Sequence, residues 1–154
     1  MSAKKQIPAA KFRLFLVDDD KHVRRGIRRL VDLEPDLTVC GEAEDAPTAL
    51  KRILAEKPDL AIVDLELELG DGIDLVGQLH RQCPKVRILV FSLHDDTYDV
   101  ERAVRAGAHG YLTKDEGTEK LIEAIRRLRV SSFYFSEKMT ARMGEALAAL
   151  RSAR

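Results

Sequence analysis

The stretch from Pro58 to Gly72, PDLAIVDLELELGDG, constrains the fold more than any other part of the chain. After Asp59, the run Leu60-Ala61-Ile62-Val63 is short and wholly apolar, as in a strand buried on both faces of a parallel sheet. It ends on Asp64, and Gly70-Asp71-Gly72 then turns the chain into a helix. A carboxylate at the carboxyl end of such a strand stands where open α/β sheets bind ligands. From this stretch alone two readings of Asp64 are open: a cap for the turn, or a group in a ligand site.

The flanking sequence repeats a strand-helix unit. Phe12 to Val17 is a first strand, followed by Asp18-Asp19-Asp20 and a helix with Val23, Ile27, Leu30 and Val31 inward; Asp20 is its N-cap and Pro35 lies past its end. Leu37 to Ala43 is a second strand, and Asp45-Ala46-Pro47 opens a helix predicted to bury Ala49, Leu50, Ile53 and Leu54. Beyond the central strand, a helix from about Asp71 to Gln82 turns Ile73, Val76 and Leu79 inward. Val86 to Phe91 is a fourth strand ending in Ser92, and the helix from about Asp96 to Ala106 stops at Gly107. His109 to Leu112 is a fifth strand leading to Thr113-Lys114, and about Thr118 to Arg129 is a helix burying Leu121, Ile122, Ile125 and Leu128. Strands alternating with helices across short loops predict the α/β class: a flavodoxin-like, doubly wound five-stranded parallel sheet with helices on both faces. Strand order 2-1-3-4-5 is one of the two common arrangements, and it makes the first and third strands neighbours.

At 154 residues the chain is one domain's worth. Lys+Arg and Asp+Glu are equal at 26 each, which argues against direct nucleic-acid binding, since no basic excess is present to hold a phosphate backbone. Cys40 and Cys83 have no metal-ligand spacing. No run has the length of a membrane span and the N-terminus has no apolar signal core, so the expected location is cytoplasmic, away from membranes. Residues 1–11 read as a loose polar tail and 12–130 as the folded domain. In 131–154, Phe133-Tyr134-Phe135 leads to Ser136 as an N-cap and to an amphipathic helix with Met139, Met143, Ala146, Leu147 and Leu150 on one side. Arg24, Arg25, Arg28 and Arg29 form either a solvated face of the first helix or a docking surface.

The polar residues at strand ends converge. Asp18 and Asp19 follow the first strand, Asp64 ends the third, Ser92 ends the fourth and Lys114 follows the fifth, all at the carboxyl edge. Like charges about 4 Å apart repel by roughly 1 to 4 kcal/mol per pair, so adjacent carboxylates need a shared proton, a hard divalent cation or an ammonium. Oxygen-only ligands favour magnesium or manganese over zinc, and Lys114 supplies an ammonium. Such a pocket suits phosphoryl transfer onto Asp64, with Ser92 donating to a phosphoryl oxygen. Singly, each residue also has a plainer reading as a cap, a strand-end hydroxyl or a surface charge; together they match what a functional site requires.

FLVDDD, DLAIVDLELELGDG, VFS and GYLTKD, in this order and spacing, resemble the receiver domain of two-component response regulators over roughly residues 12 to 130. The wording GYLTKD and the following tail resemble the NarL/FixJ-like subgroup, whose receiver usually precedes a LuxR-type helix-turn-helix that is absent from this sequence. The resemblance implies a switch rather than an enzyme, limited to self-catalysed phosphorylation and autodephosphorylation. By it Asp64 is the phosphoacceptor, Asp19 a direct Mg2+ ligand, Asp18 a ligand through water, and the Glu66 carbonyl part of the metal shell. Ser92 is the switch hydroxyl, Lys114 the phosphate-pairing lysine, Tyr111 the aromatic that changes rotamer, and Glu66 and His94 the positions that tune hydrolysis. A sensor histidine kinase is the implied phosphodonor, a homodimer a possible assembly, and transcription regulation the implied output. Glu68 stands where proline is usual and Leu93 where a small residue is usual. The rival readings are an unphosphorylated interaction module of the same fold, a small Mg2+-dependent aspartate-nucleophile phosphatase, and a flavin-binding module. His22 at the expected threonine or valine position weighs against the phosphatase, and three aspartates after the first strand would repel a flavin phosphate.

Overall fold

A computed structural model describes residues 10–152. Residues 1–9 of the predicted tail, and the side chains of Met143, Ala146, Leu147 and Leu150, lie outside the described set. The elements run β1 (Phe12–Val17), α1 (Lys21–Asp32), β2 (Leu37–Ala43), α2 (Ala46–Glu56), β3 (Leu60–Val63), α3 (Gly72–Gln82), β4 (Arg87–Ser92), α4 (Thr97–Ala106), β5 (Gly110–Thr113), a 3-10 turn (Lys114–Glu116), α5 (Thr118–Val130), β6 (Tyr134–Phe135) and α6 (Glu137–Ser152).

The sheet order is β2-β1-β3-β4-β5-β6 and every pairing is parallel. The doubly wound sheet and the 2-1-3-4-5 order of the predicted strands are therefore observed, with one short strand added that the periodicity did not predict. That addition, β6, docks because Gly110 lets it approach: a Cβ at Gly110 would lie 2.8 Å from the Tyr134 carbonyl oxygen.

Alternation along each strand divides the interior into two cores. Leu14 and Leu16 of β1, with Leu60, Ile62, Leu89 and Leu112, pack against Ile27 and Val31 of α1 and Leu121, Ile125 and Leu128 of α5. Phe15 and Val17, with Ala61, Val63, Ile88, Val90 and Tyr111, pack against α2, α3 and α4 on the opposite face. Asp20 and Asp45 cap α1 and α2 as the sequence predicts, and Asp71 and Asp96, read only as approximate helix starts, prove to be the caps of α3 and α4; each accepts a backbone N–H from the first turn. Leu54 departs from the expected burial and is 36% exposed, because the inward face of α2 is filled by Ala49 and Ile53. Arg24 and Arg28, one turn apart, both pair with Glu42, at 3.0 and 2.8 Å, while Arg25 and Arg29 are exposed. The arginine face of α1 is thus half braced to β2 and half solvated.

His109 is a buried polar residue at the other end of the sheet. Its Nδ1 accepts the Ile88 N–H at 2.9 Å, so the folded chain holds the ring neutral at that nitrogen. Burial lowers its pKa, and the positive charges of Arg87 and His80 lower it further. An imidazole with a depressed folded pKa leaves the unfolded chain binding more protons below about pH 6.5, so its stability contribution is complete above that value and lost as pH falls through the folded pKa. The expected result is a chemical-denaturation midpoint that rises from pH 5 to pH 7 in the wild type, with a shallower rise in His109→Gln. Equal slopes in the two proteins would contradict it.

Candidate functional site: an acidic pocket at the carboxyl edge

β1 and β3 are neighbours, with Val17 opposite Val63, and the residues that follow them are brought side by side. The Asp18 N–H donates to Ala43 O at 3.1 Å and the Asp64 N–H to Val17 O at 2.9 Å, so both carboxyl-bearing residues are tied to neighbouring strands by their backbones. Asp18 is 4% exposed and Asp64 6%, whereas Asp19 is only partly covered. Each of the three offers a carboxylate oxygen within 4.8 Å of the others. Lys114, carried in from the end of β5, places its Nζ 2.8 Å from Asp18 Oδ2 and 3.0 Å from Asp64 Oδ2.

Burial raises the Asp64 pKa, and the Asp18 charge raises it further against the opposing pull of Lys114 and the Glu66 N–H. For Lys114, burial favours the neutral amine, but hydrogen bonds and attraction to Asp18 and Asp64 outweigh it and hold the ammonium above its ordinary pKa. Three carboxylates against one ammonium leave negative charge uncompensated when all are ionised. The donor set is oxygen only, and one of its members is open to water, which suits a hard cation that keeps part of its hydration shell. Asp18, Asp19 and Asp64 are the grouped oxygen donors suited to hold such a cation.

Ser92 is fully buried at the end of β4, and its Oγ accepts the His94 N–H at 3.2 Å. Tyr111 is fully buried in β5, and its hydroxyl donates to the His94 carbonyl oxygen at 2.5 Å. Burial is the main cause that pushes the Tyr111 phenol pKa up. His94 Nε2 lies 2.5 Å from Glu66 Oε1, closing a bridge between the loops after β3 and β4, and this hydrogen bond raises the imidazole pKa. Leu93 is 70% exposed and Glu68 is also exposed, so both departures from the usual pattern face solvent.

All eight residues singled out from the sequence lie at this edge of the sheet. Two more were not assigned to the site from the sequence. Asp99, in the first turn of α4, lies 3.5 Å from His94 Nδ1, making the histidine a link between Glu66 and α4. Arg24 donates to the Asp18 carbonyl oxygen while pairing with Glu42, and so steadies the loop that carries the acidic residues. Only the Arg24/Arg28 spacing of one helical turn, with Glu42 near the end of β2, offered a signal for the second.

Residues 14–126 match the family model described as response regulator receiver domain. The chain belongs to that family. The receiver is 32% identical over 139 residues to the nitrate/nitrite response regulator protein NarL of Escherichia coli K12, covering 90% of this chain and 64% of that protein. It is 30% identical over 135 residues to the transcriptional regulatory protein DegU of Brevibacillus brevis, covering 88% and 57% respectively. The chain thus spans less than two thirds of the length of these two relatives. The receiver also resembles the crystal structure of a two-component response regulator of the LuxR family from Aurantimonas sp. SI85-9A1, with TM-score 0.82 and 30% identity over 90% of this chain and 99% of that one. Among the described residues, no helix is long and apolar enough to cross a membrane.

Proposed function

We propose that this receiver accepts a phosphoryl group on Asp64 from a sensor histidine kinase and passes the change to a surface that regulates transcription. The observation that carries the reading is a buried strand-end carboxylate paired 3.0 Å from Lys114, beside Asp18 and Asp19. An Asp64 carboxylate oxygen attacks phosphorus, the phosphorus–nitrogen bond to the donor imidazole breaks, and the departing imidazole keeps the bonding pair and takes a proton. A Mg2+ ion held by Asp18, Asp19, Asp64 and the Glu66 carbonyl would neutralise charge on the phosphoryl oxygens. Lys114, 3.0 Å from Asp64 Oδ2, would pair with the phosphoryl group, and the Ser92 hydroxyl would donate to it. As Ser92 moves toward the group, space opens beside Tyr111, and the face formed by α4 and β5 is remodelled. Hydrolysis returns the Asp64 carboxylate and inorganic phosphate. Glu66 and His94, bridged at 2.5 Å between the loops after β3 and β4, are the residues that tune the rate of this hydrolysis in the proposed cycle.

Intact mass after incubation with acetyl phosphate and Mg2+ tests the reading. One phosphoryl group is expected on the wild type and none on Asp64→Asn or in a metal-chelated sample. After donor removal, Glu66→Ala and His94→Ala are expected to lose that mass at rates different from wild type; an unchanged decay in both would remove the tuning role. No mass gain under any condition would favour a receiver that works without phosphorylation.

A further inference from the structure

The face that the phosphoryl group would remodel is already occupied by the chain's own C-terminal helix. Ser136 starts α6, its Oγ accepting the Met139 N–H at 3.2 Å and its hydroxyl donating to Glu116 in the turn after β5. Met139 is fully buried in the same core cluster as Val100 and Ala103 of α4 and Tyr111 of β5. Thr97, at the start of α4, donates to Glu145 of α6 at 2.6 Å. Lys138 makes the most telling contact. Its ammonium is 3.3 Å from Asp95 Oδ2, in the loop between β4 and α4, and 3.3 Å from both carboxylate oxygens of Asp115, in the turn after β5. It also donates to Thr113 Oγ1 at 3.3 Å.

The two loops joined by Lys138 are the two that carry the phosphate-facing groups. Asp95 follows Ser92 by three residues, and Asp115 adjoins Lys114. We propose that α6 is a phosphorylation-released clasp, in which Lys138 holds these loops in their unphosphorylated spacing and α6 covers the α4 face until Asp64 is modified. The proposal rests on the reading of Asp64 given above. Phosphorylation replaces the single carboxylate charge of Asp64 with a phosphoryl group of about two negative charges, reaching further toward Ser92 and Lys114, and draws both inward, each pulling on its own loop. The Lys138 ammonium is shared among Asp95, both Asp115 oxygens and Thr113 at 3.3 Å, so movement of either loop lengthens some of these contacts. The Met139 pocket is sensitive to the same event, because Tyr111 helps form that core cluster while its hydroxyl is held by the His94 carbonyl.

Lys138 and Asp95 are partly open to water and Asp115 is exposed, so the clasp is a bias on a population rather than a lock. Coupling is reciprocal: whatever factor phosphorylation removes from clasp formation, loss of the clasp returns to affinity at the phosphoryl site.

The test uses the 154-residue chain with beryllofluoride and Mg2+ as phosphoryl mimic, site occupancy read by fluorine NMR, and α6 protection read by hydrogen exchange. Saturation is expected to speed exchange of the first turns of α6 about tenfold, within the usual span of coupling between sites. Lys138→Ala and Asp95→Asn are expected to exchange fast without the mimic and to bind it several-fold more tightly than wild type. A bound fluoride signal with unchanged or increased α6 protection overturns the clasp alone. Unchanged mimic affinity in both variants does the same. Absence of bound fluoride overturns the Asp64 reading and the clasp with it.

Discussion

Lys114→Ala is expected to destabilise the metal-free chain at neutral pH by about 3 kcal/mol, the low end of the cost of removing one partner from a buried ion pair. The Lys114, Asp18 and Asp64 side chains are 14, 5 and 7% exposed, so the substitution leaves two desolvated carboxylates facing each other without their cation. The low end applies because each acid keeps another donor: Asp18 Oδ1 accepts the Asp20 N–H at 2.9 Å and Asp64 Oδ1 accepts the Glu66 N–H at 3.2 Å. Protonation offers the variant a second escape. The folded Asp64 pKa is already raised by burial, and loss of the ammonium raises it further. A carboxyl whose folded pKa exceeds its unfolded value makes the native state the better proton binder, so stability falls as pH rises from the unfolded toward the folded pKa. The penalty should therefore shrink at pH 5 and be largest above neutrality. Mg2+ should stabilise the variant more than the wild type, because the ion no longer competes with Lys114 and stabilises by binding only the native state. Urea unfolding at pH 5 and pH 7.5, with and without Mg2+, reads all three effects. A variant with the wild-type midpoint at neutral pH would mean that the carboxylates are not under the strain their burial implies.

The acidic pocket was legible because strand ends are legible. Once Leu60 to Val63 is a buried strand, Asp64 must stand at its carboxyl end, and the same reasoning places Asp18, Ser92 and Lys114 without knowledge of any side-chain contact. The order of strands turned proximity along the sequence into proximity in space: β1 and β3 pair, and Asp18 and Asp64 share one lysine. Helix starts were equally readable, since an aspartate cap acts within its own first turn. What escaped depends on contacts between elements remote in sequence. β6 is two residues long and has no alternation to detect; it exists because Gly110 leaves room beside β5. Glu42 fastens Arg24 and Arg28 only after β2 lies alongside α1. The apolar spacing of the last helix marked one side of it, whereas the packing of Met139 with α4 and the reach of Lys138 to Asp95 and Asp115 required the sheet to be assembled first.

Gly72→Ala is the second substitution with a large expected effect, and its cause is space rather than backbone conformation. Gly70 and Gly107 have φ of 89° and 116°, where a side chain strains the backbone; Gly72 has no positive φ and sits at the start of α3. A Cβ there would lie 2.5 Å from the Asp64 carbonyl oxygen, 2.6 Å from Leu65 Cα and 2.8 Å from the Leu65 carbonyl oxygen. All three are backbone atoms, so no side-chain rotation relieves the contact. β3 cannot yield easily, because it pairs with β1 and β4 on either side and the Asp64 N–H is bound to Val17 O. The relief must come from α3 moving away, which breaks the 3.3 Å bond from the Gly72 N–H to Leu65 O and shifts the loop that carries Glu66. Overpacking of this kind costs about 3 kcal/mol when backbone must move. Gly26 supplies the contrast: a Cβ there meets nothing within 4 Å, so Gly26→Ala in the exposed interior of α1 should stabilise by about 0.5–1 kcal/mol. Denaturant unfolding of the two variants should therefore move in opposite directions. Gly72→Ala should also slow phosphoryl incorporation from acetyl phosphate, because the displaced loop holds both the Glu66 carbonyl and the backbone N–H that Asp64 accepts. Wild-type stability in Gly72→Ala would show that α3 can leave the strand end freely, and the fixed position of Asp64 would then need another cause.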